Sequence, residues 1–251
     1  MHESPRFAVL RADKDAHDAM ELARILAAVR ETPLQDQVLE AKAAWGILGE
    51  DLSRSEAEAL QHALHSAGLE CGIGPMSALV ALPAAQVVVR RDALPPVPPT
   101  LIAAAALTVT TTSRSGQRGP SGFQKAASAA LMMTTGIPIK VGGRKRSVET
   151  THDQERLVFF ADLYYGAPSK RLRIDASHFD YSCLGGRMLH HAQGNLKILL
   201  GDVLESAPDA WTNHGARVLL QGRPIRTMGY GSLDDLERES RWLLTLRAAG
   251  L

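Results

Sequence analysis

The densest run of reactive side chains in the sequence lies at residues 178–183, where His178, Asp180, Tyr181, Ser182 and Cys183 fall within six positions. Imidazole, carboxylate and thiolate groups are the ligands that zinc uses in proteins, and a thiol beside an imidazole is a candidate nucleophile. One hypothesis is therefore a metal- or thiol-dependent enzyme centred on Cys183. The candidate residues for that site are His178, Asp180, Cys183, His190 and His191.

A structural interpretation of the same residues competes with the enzyme. Their spacing fits no zinc signature, and the two histidine positions are separated from the rest by Gly185-Gly186. At the exit of a strand, Phe179 and Tyr181 would pack inward while His178 and Asp180 make local hydrogen bonds. The sequence favours this interpretation, in which the protein is not an enzyme and carries no cofactor.

A second group of candidate residues is basic. Residues 93–148 contain seven lysine or arginine side chains and no acidic residue, although the whole chain has a net charge of only +1. Such a field attracts anionic surfaces, which are phospholipid headgroups, nucleic acid or an acidic protein. A solvated loop without a partner is the competing interpretation. Phe123 is the only aromatic residue in this segment, so base stacking is not indicated. The cations are Arg114, Arg118, Lys125, Lys140, Arg144, Lys145 and Arg146.

A predicted β-hairpin links the two groups. Leu157 to Tyr165 is aromatic and β-branched on both faces, with Asp162 as its only charge, which predicts a central strand covered on both sides. After a Gly-Ala-Pro turn, apolar residues alternate with charged ones from Arg171 to Ala176, the pattern of a half-buried antiparallel strand. The reactive residues follow this second strand directly, and the basic segment precedes the first.

The N-terminal part has a different pattern. It predicts, in order, a strand (6–12), two helices, a short strand, a helix capped by Ser53 and Glu56, and a strand (69–75). This order, with the L-x-x-x-L-x-x-A-G end of the third helix, resembles the small α/β domain of the ClpS adaptors and of the C-terminal domain of the ribosomal stalk protein. The resemblance covers under a third of the chain, and it implies a protein-binding module.

Four prolines at positions 95, 96, 98 and 99 predict a stiff linker and a domain boundary. We therefore expect a small α/β domain at residues 1–92, a linker at 93–100, and an α+β sheet domain at 101–251 with a basic, glycine-rich excursion at 113–147. In the second domain the patterns predict a helix at 195–207, a strand at 216–220, and a last helix capped by Ser232 and Asp235. The fold class expected for the whole chain is α+β.

Composition limits the remaining function classes. A chain of 251 residues with 45% hydrophobic content can form a proper core. Cys71 and Cys183 are too far apart in sequence to indicate a disulfide framework or a metal site. The sequence shows no signal peptide and no apolar stretch long enough to cross a bilayer, which predicts a cytoplasmic protein. The function expected is a non-enzymatic adaptor or scaffold with a protein partner, and small-residue elements also allow a homo-oligomer.

Overall fold

The computed structural model describes residues 5–13, 18–115 and 150–250, with side chains described up to residue 110 and from residue 155 onwards. The chain forms two compact units. The first comprises Met1–Leu107 and Leu157–Leu251, and the second is Thr108–Arg156, which contains the last part of strand β5 and the first part of strand β6. The cleft and the polar clusters described below lie in the first unit.

Eight strands and six α-helices are found in the described residues. In chain order they are β1 (Phe7–Arg11), α1 (Ala19–Arg30), α2 (Leu34–Ala43), β2 (Ile47–Leu52), α3 (Arg54–Ser66), β3 (Cys71–Pro75), β4 (Ala85–Val88), β5 (Leu101–Ser115), β6 (Thr150–Tyr165), β7 (Lys170–Asp175), α4 (Ala192–Glu205), β8 (Trp211–Thr212), α5 (His214–Gln221) and α6 (Leu233–Ala248). They build an antiparallel three-stranded sheet and a mixed five-stranded sheet. The α+β class predicted from the sequence is confirmed.

The three-stranded sheet has the strand order β2-β1-β3. The order of elements predicted for the N-terminal part is confirmed, including the capping box in which Ser53 and Glu56 bond each other's backbone at the start of α3. Apolar residues of α1, α3 and this sheet bury one another in a core that extends from Val9 to Cys71. Because these signals are local, a sequence pattern was enough to find them.

The five-stranded sheet has the order β4-β7-β6-β5-β8. Strand β6 is central, and β6 and β7 pair antiparallel from Phe160–Asp175 to Tyr165–Lys170, so the predicted hairpin is confirmed. The alternation predicted a half-buried β7, but part of its charged face is also covered. Arg171 is buried, because helix α6 lies over this face and supplies a carboxylate to it.

One predicted element has the wrong type. The mainly apolar segment 216–220 was predicted to be a strand, but it lies in helix α5. The side chain of Asn213 caps this helix by accepting a hydrogen bond from Ala216 N, and Gly222 ends it in the left-handed conformation. A short, mainly apolar segment does not distinguish a buried strand from a buried helix. The capping residues Asn213 and Gly222 determine that this segment is helical.

The two cores are not separated at the proline-rich segment. Residues 94–100 form no helix or strand, as a linker would, but β4 precedes them and pairs in parallel with β7 of the second sheet. The predicted first domain, 1–92, therefore contributes a strand to the second sheet. The larger core contains residues from Val88 to Leu246 and also Ile47 of the N-terminal part.

Helix α6 lies between the two sheets. Toward the first sheet, Trp242 Nε1 donates to the carbonyl of Arg11 at 2.9 Å. Toward the second sheet, the Glu237 carboxylate accepts from Arg171 at 2.7 Å. Eight of the sixteen residues of α6 are buried, as expected of a helix that is covered on several sides. The last helix of the chain thus serves both cores.

Candidate functional site

The residues predicted for a metal or thiol site are exposed side chains with local roles. His178 Nδ1 lies 2.7 Å from Asp175 Oδ2, and Asp180 accepts hydrogen bonds from the backbone and hydroxyl of Ser182 at 2.9 and 3.0 Å. These two bonds lower the pKa of Asp180. His191 caps α4 by accepting from Gly194 N at 2.9 Å.

The rings of the neighbouring aromatic residues pack as the structural interpretation predicted. Phe179 and Tyr181 are both buried, with ring centroids 5.1 Å apart. Cys183 and His190 are exposed. In the part of the chain that the structure describes, no three His, Cys, Asp or Glu side chains are grouped as metal ligands would be. The arrangement therefore gives the metal hypothesis no ligand set.

The seven predicted anion-binding cations cannot be placed in a site. Arg114 belongs to strand β5, but the structure describes the side chains of this strand only up to residue 110. The other six, Arg118, Lys125, Lys140, Arg144, Lys145 and Arg146, lie outside the described residues. Binding through this segment stays a prediction.

A cleft that the sequence did not predict lies along helix α6. We call it the α6 cleft; its volume is about 470 Å³. Three separate segments of the chain form it: the end of α2 with β2, the stretch before β4, and the first three turns of α6. Its lining residues are Ala43, Glu50, Ala81, Leu82, Asp234, Asp235, Glu237, Arg238 and Arg241.

One wall of the cleft is held by ion pairs between the first sheet and α6. Glu50 of β2 accepts from Arg241 at 2.7 Å and lies 3.2 Å from Arg238. Arg238 also donates to the carbonyls of Ala44 and Ile47, at 3.3 and 3.1 Å. Because Glu50 and the two arginines are only partly exposed, the pairs are less screened by water than surface pairs. This wall is therefore fixed without a ligand.

An ion cluster lies behind Glu237, another residue of the lining. Asp162 of β6 receives hydrogen bonds from Arg171 at 2.6 and 2.9 Å and from Arg173 at 2.8 and 2.8 Å. Both arginines also donate to Oε1 of Glu237, at 2.7 and 3.1 Å. The hydrogen bonds and charge of Asp162 raise the pKa of Arg173, although burial opposes them. Burial alone would raise the pKa of Glu237, but the two arginines outweigh it and the pKa is lowered.

The start of α6 fixes the third side of the cleft. Ser232 and Asp235 form the predicted capping box, so this prediction is confirmed. Asp235 Oδ2 also accepts from Gly231 N at 2.8 Å. The carboxylates at positions 234 and 235 lie in the first turn of the helix, where the macrodipole favours negative charge.

A second buried polar network, formed largely by other residues of α6 and α5, supports the helix. Glu239 accepts hydrogen bonds from Tyr230 OH, from Asn213 Nδ2 at 2.9 Å and from His214 N at 2.9 Å. The Asn213 amide also bonds both backbone groups of Ala104 in β5, at 2.9 and 3.1 Å. Burial raises the pKa of Glu239, and burial together with the Glu239 charge raises the pKa of Tyr230. The network ties α5 and α6 to the sheet.

The sequence did contain a signal for the ion cluster. Asp162 was the only charge in an apolar strand, and hairpin register places it directly opposite Arg173. An unpaired buried carboxylate is costly, so that pairing was predictable. The remaining residues of the cleft come from distant parts of the chain, and no local pattern indicates them.

The arrangement suits binding. An apolar patch of alanine and leucine lies next to charged groups whose positions are already fixed by ion pairs, as in many recognition surfaces. In the described residues no helix is long and apolar enough to span a membrane. No protein-family model matches the chain, and no significant match is found among the curated proteins or the solved structures.

Proposed function

We propose that this protein is a non-enzymatic protein-binding module, an adaptor or scaffold, that holds a segment of its partner in the α6 cleft. The observation that carries the proposal is the way the cleft is built. Its walls come from three segments that meet only in the folded chain. Glu50 of β2 is bonded to Arg241, and next to Ala81 the Val80 N–H donates to Thr245 Oγ1 at 3.0 Å. On α6 itself, Asp235 belongs to the capping box and Glu237 accepts from Arg171. Such preorganisation lowers the cost of ordering an interface on binding.

The lining of the cleft indicates a peptide segment as the occupant. Ala43, Ala81 and Leu82 offer an apolar patch, and charged side chains surround it. This combination of an apolar centre and a polar rim is typical of protein interfaces. The N-terminal part takes part in binding through Ala43 and Glu50, in keeping with the binding role that its resemblance to adaptor domains implies.

A deletion of residues 1–92 is a poor test of this function. It would remove β4 from the second sheet and the Arg11 carbonyl from the Trp242 indole. The remaining chain would lose stability for reasons unrelated to a partner. Point substitutions that fill the cleft are the sharper test.

The experiment selects peptides from a displayed random library on the whole protein and measures their binding by fluorescence anisotropy. Ala81→Trp fills the cleft from an exposed position, and Ala84→Trp, also exposed but not in the lining, is the matched control. We expect Ala81→Trp to weaken binding of the selected peptides at least ten-fold and Ala84→Trp to leave it within two-fold. Peptides that bind both variants equally would refute the proposal.

The uneven charge of the sequence favours a second candidate function, binding to an anionic surface. The seven cations without an acidic residue in 93–148 supply the observation. Co-sedimentation with vesicles of anionic or neutral phospholipid, and with single-stranded DNA, tests it. Binding should fall steeply between about 50 and 200 mM salt, as for other electrostatic contacts, and should be lost when Arg144, Lys145 and Arg146 are changed to Gln. Binding that ignores salt would rule it out.

A further inference from the structure

The ion cluster beside the cleft contains one group that differs from the other three. The side chains of Asp162, Arg171 and Arg173 are 0, 3 and 12% exposed, whereas that of Glu237 is 37% exposed. Glu237 also lines the α6 cleft. It is therefore the member of the cluster that a ligand in the cleft can reach.

Glu237 neutralises the excess positive charge of the cluster. Asp162 alone faces two guanidinium groups, so the three buried side chains carry a net charge of +1. The carboxylate of Glu237 brings the cluster to neutrality through Oε1. A buried uncompensated charge is strongly unfavourable, so this position needs an anion at all times.

The arginines are held independently of Glu237. In the β6–β7 register Arg173 pairs with Asp162 and Arg171 pairs with Tyr164, and the Arg171 guanidinium lies 5.6 Å from the centroid of the Tyr164 ring. The buried Asp162 bonds both guanidinium groups. Rigid, paired arginines are the side chains that proteins use to recognise carboxylates. Glu237, on a flexible side chain at the cleft surface, fills a position that is already formed.

We propose that the Arg171–Arg173 pair is a carboxylate-binding site that Glu237 fills in this structure and that an acidic side chain of a bound segment can take over. The proposal rests on the proposed function, because it names the partner group that enters the α6 cleft. It is a Glu or Asp carboxylate on a segment whose apolar neighbours contact Ala81 and Leu82.

The surrounding charges select a singly charged ligand. Arg238 and Arg241 at the cleft attract an anion, but they are paired with Glu50, and the carboxylates of Asp234 and Asp235 lie in the same lining. After displacement Glu237 adds one more negative charge nearby. A monocarboxylate is therefore favoured over phosphate, whose second charge meets this repulsion.

The first experiment uses acetate as the probe and thermal unfolding of the whole protein as the readout. Glu237→Ala vacates the site, and Asp202→Ala is the matched control, because it removes a carboxylate from Arg187, which is 58% exposed. We expect acetate to raise the Tm of Glu237→Ala in a saturating manner beyond sodium chloride of equal ionic strength, with phosphate weaker than acetate. Asp202→Ala should respond to acetate and chloride alike, and wild type should bind acetate at least ten-fold more weakly than Glu237→Ala.

Glu237→Gln provides a second test if the alanine variant does not fold, because the amide occupies the space without the charge and should show the same preference for acetate. An acetate response equal to that of Asp202→Ala would overturn the proposal. The second experiment measures the peptides selected on the wild-type protein: we expect them to contain an acidic residue and to bind Glu237→Ala at least ten-fold more tightly. Selected peptides without an acidic residue would overturn this inference and leave the proposed function standing. A failed selection with a positive acetate result would overturn the proposed function and the peptide as occupant, and would leave only the carboxylate-binding site at Arg171 and Arg173.

Discussion

The contact between Gly46 and the indole of Trp242 holds the N-terminal part against helix α6. The substitution Gly46→Ala, which adds one methyl group at this contact, tests it. Gly46 has a φ of +95°, and a Cβ built on it would lie 2.1 Å from Trp242 Cδ2 and 2.3 Å from Cε2. The indole cannot move away freely, because it is buried and donates to the carbonyl of Arg11 at 2.9 Å. Gly46→Ala should therefore be strongly destabilising.

The size of the effect follows from two separate costs. A left-handed conformation costs an L-residue roughly 1–2 kcal/mol, and forcing an extra carbon into a packed core costs about 1–3 kcal/mol more. Gly68→Ala isolates the first cost, because Gly68 has a φ of +79° and nothing within 4 Å of its Cβ position. We expect Gly46→Ala to lose about 2 kcal/mol more than Gly68→Ala.

The assay is thermal unfolding of the two variants beside the wild type. At roughly 2–4 °C per kcal/mol for a chain of this size, the Tm of Gly46→Ala should lie about 4–8 °C below that of Gly68→Ala. Since the contact positions the wall that carries Glu50, peptides selected for the α6 cleft should also bind Gly46→Ala more weakly than Gly68→Ala. Equal Tm values for the two variants would refute the packing of α6 against this turn, and with it the construction of the cleft.

Three other outcomes are expected. Gly201→Ala, in the middle of α4 with nothing within 4 Å of the new Cβ, should stabilise the protein by about 0.5–1 kcal/mol in chemical denaturation, and a loss of stability would contradict the helix. Burial raises the pKa of Glu239 above the ordinary 4.5, so the stability contributed by this group is complete below pH 4.5 and is lost as the pH rises through the pKa of the folded state. The free energy of unfolding of the wild type, measured relative to that of Glu239→Gln, should therefore fall with rising pH. A difference independent of pH would contradict this. Cys183 is exposed, whereas Cys71 is buried and burial raises the pKa of its thiol to about 11. A thiol reagent should therefore modify Cys183 quickly in the native protein and Cys71 only after unfolding. Two fast reactions would contradict the burial of Cys71.

Sequence patterns were sufficient wherever the cause of the structure is local. The capping residues Ser53 and Ser232 lie three positions from the carboxylates that complete their boxes. The hairpin is marked by an apolar stretch before Gly166 and by alternation of charged and apolar residues after it. The error at 216–220 has the opposite origin. A segment of five residues with four apolar side chains suits either element, and the deciding groups, Asn213 and Gly222, lie outside it.

The α6 cleft could not be predicted in the same way. Glu50 and Arg241 are 191 positions apart, and their approach depends on how two sheets share one helix. The arginines of β7 illustrate the point. Their alternation with apolar residues correctly indicated a strand with two different faces, but a polar face is exposed only if nothing covers it, and Glu237 of α6 lies over it. An amphipathic pattern shows which side chains of a strand are polar, but the tertiary fold determines which of its faces is buried.

Helix α6 explains why the two cores belong to one compact unit although each has its own buried residues. A helix that supplied an apolar stripe to one sheet would leave its other side to solvent. In α6 the two sides have different chemistry: Trp242 fills the space at Gly46, and Glu237 neutralises the arginines of the hairpin. Neither sheet provides a substitute for these groups in the described residues. The cleft therefore forms only when the last helix of the chain is in place, and any ligand that binds there also stabilises the packing of both cores on α6 by mass action.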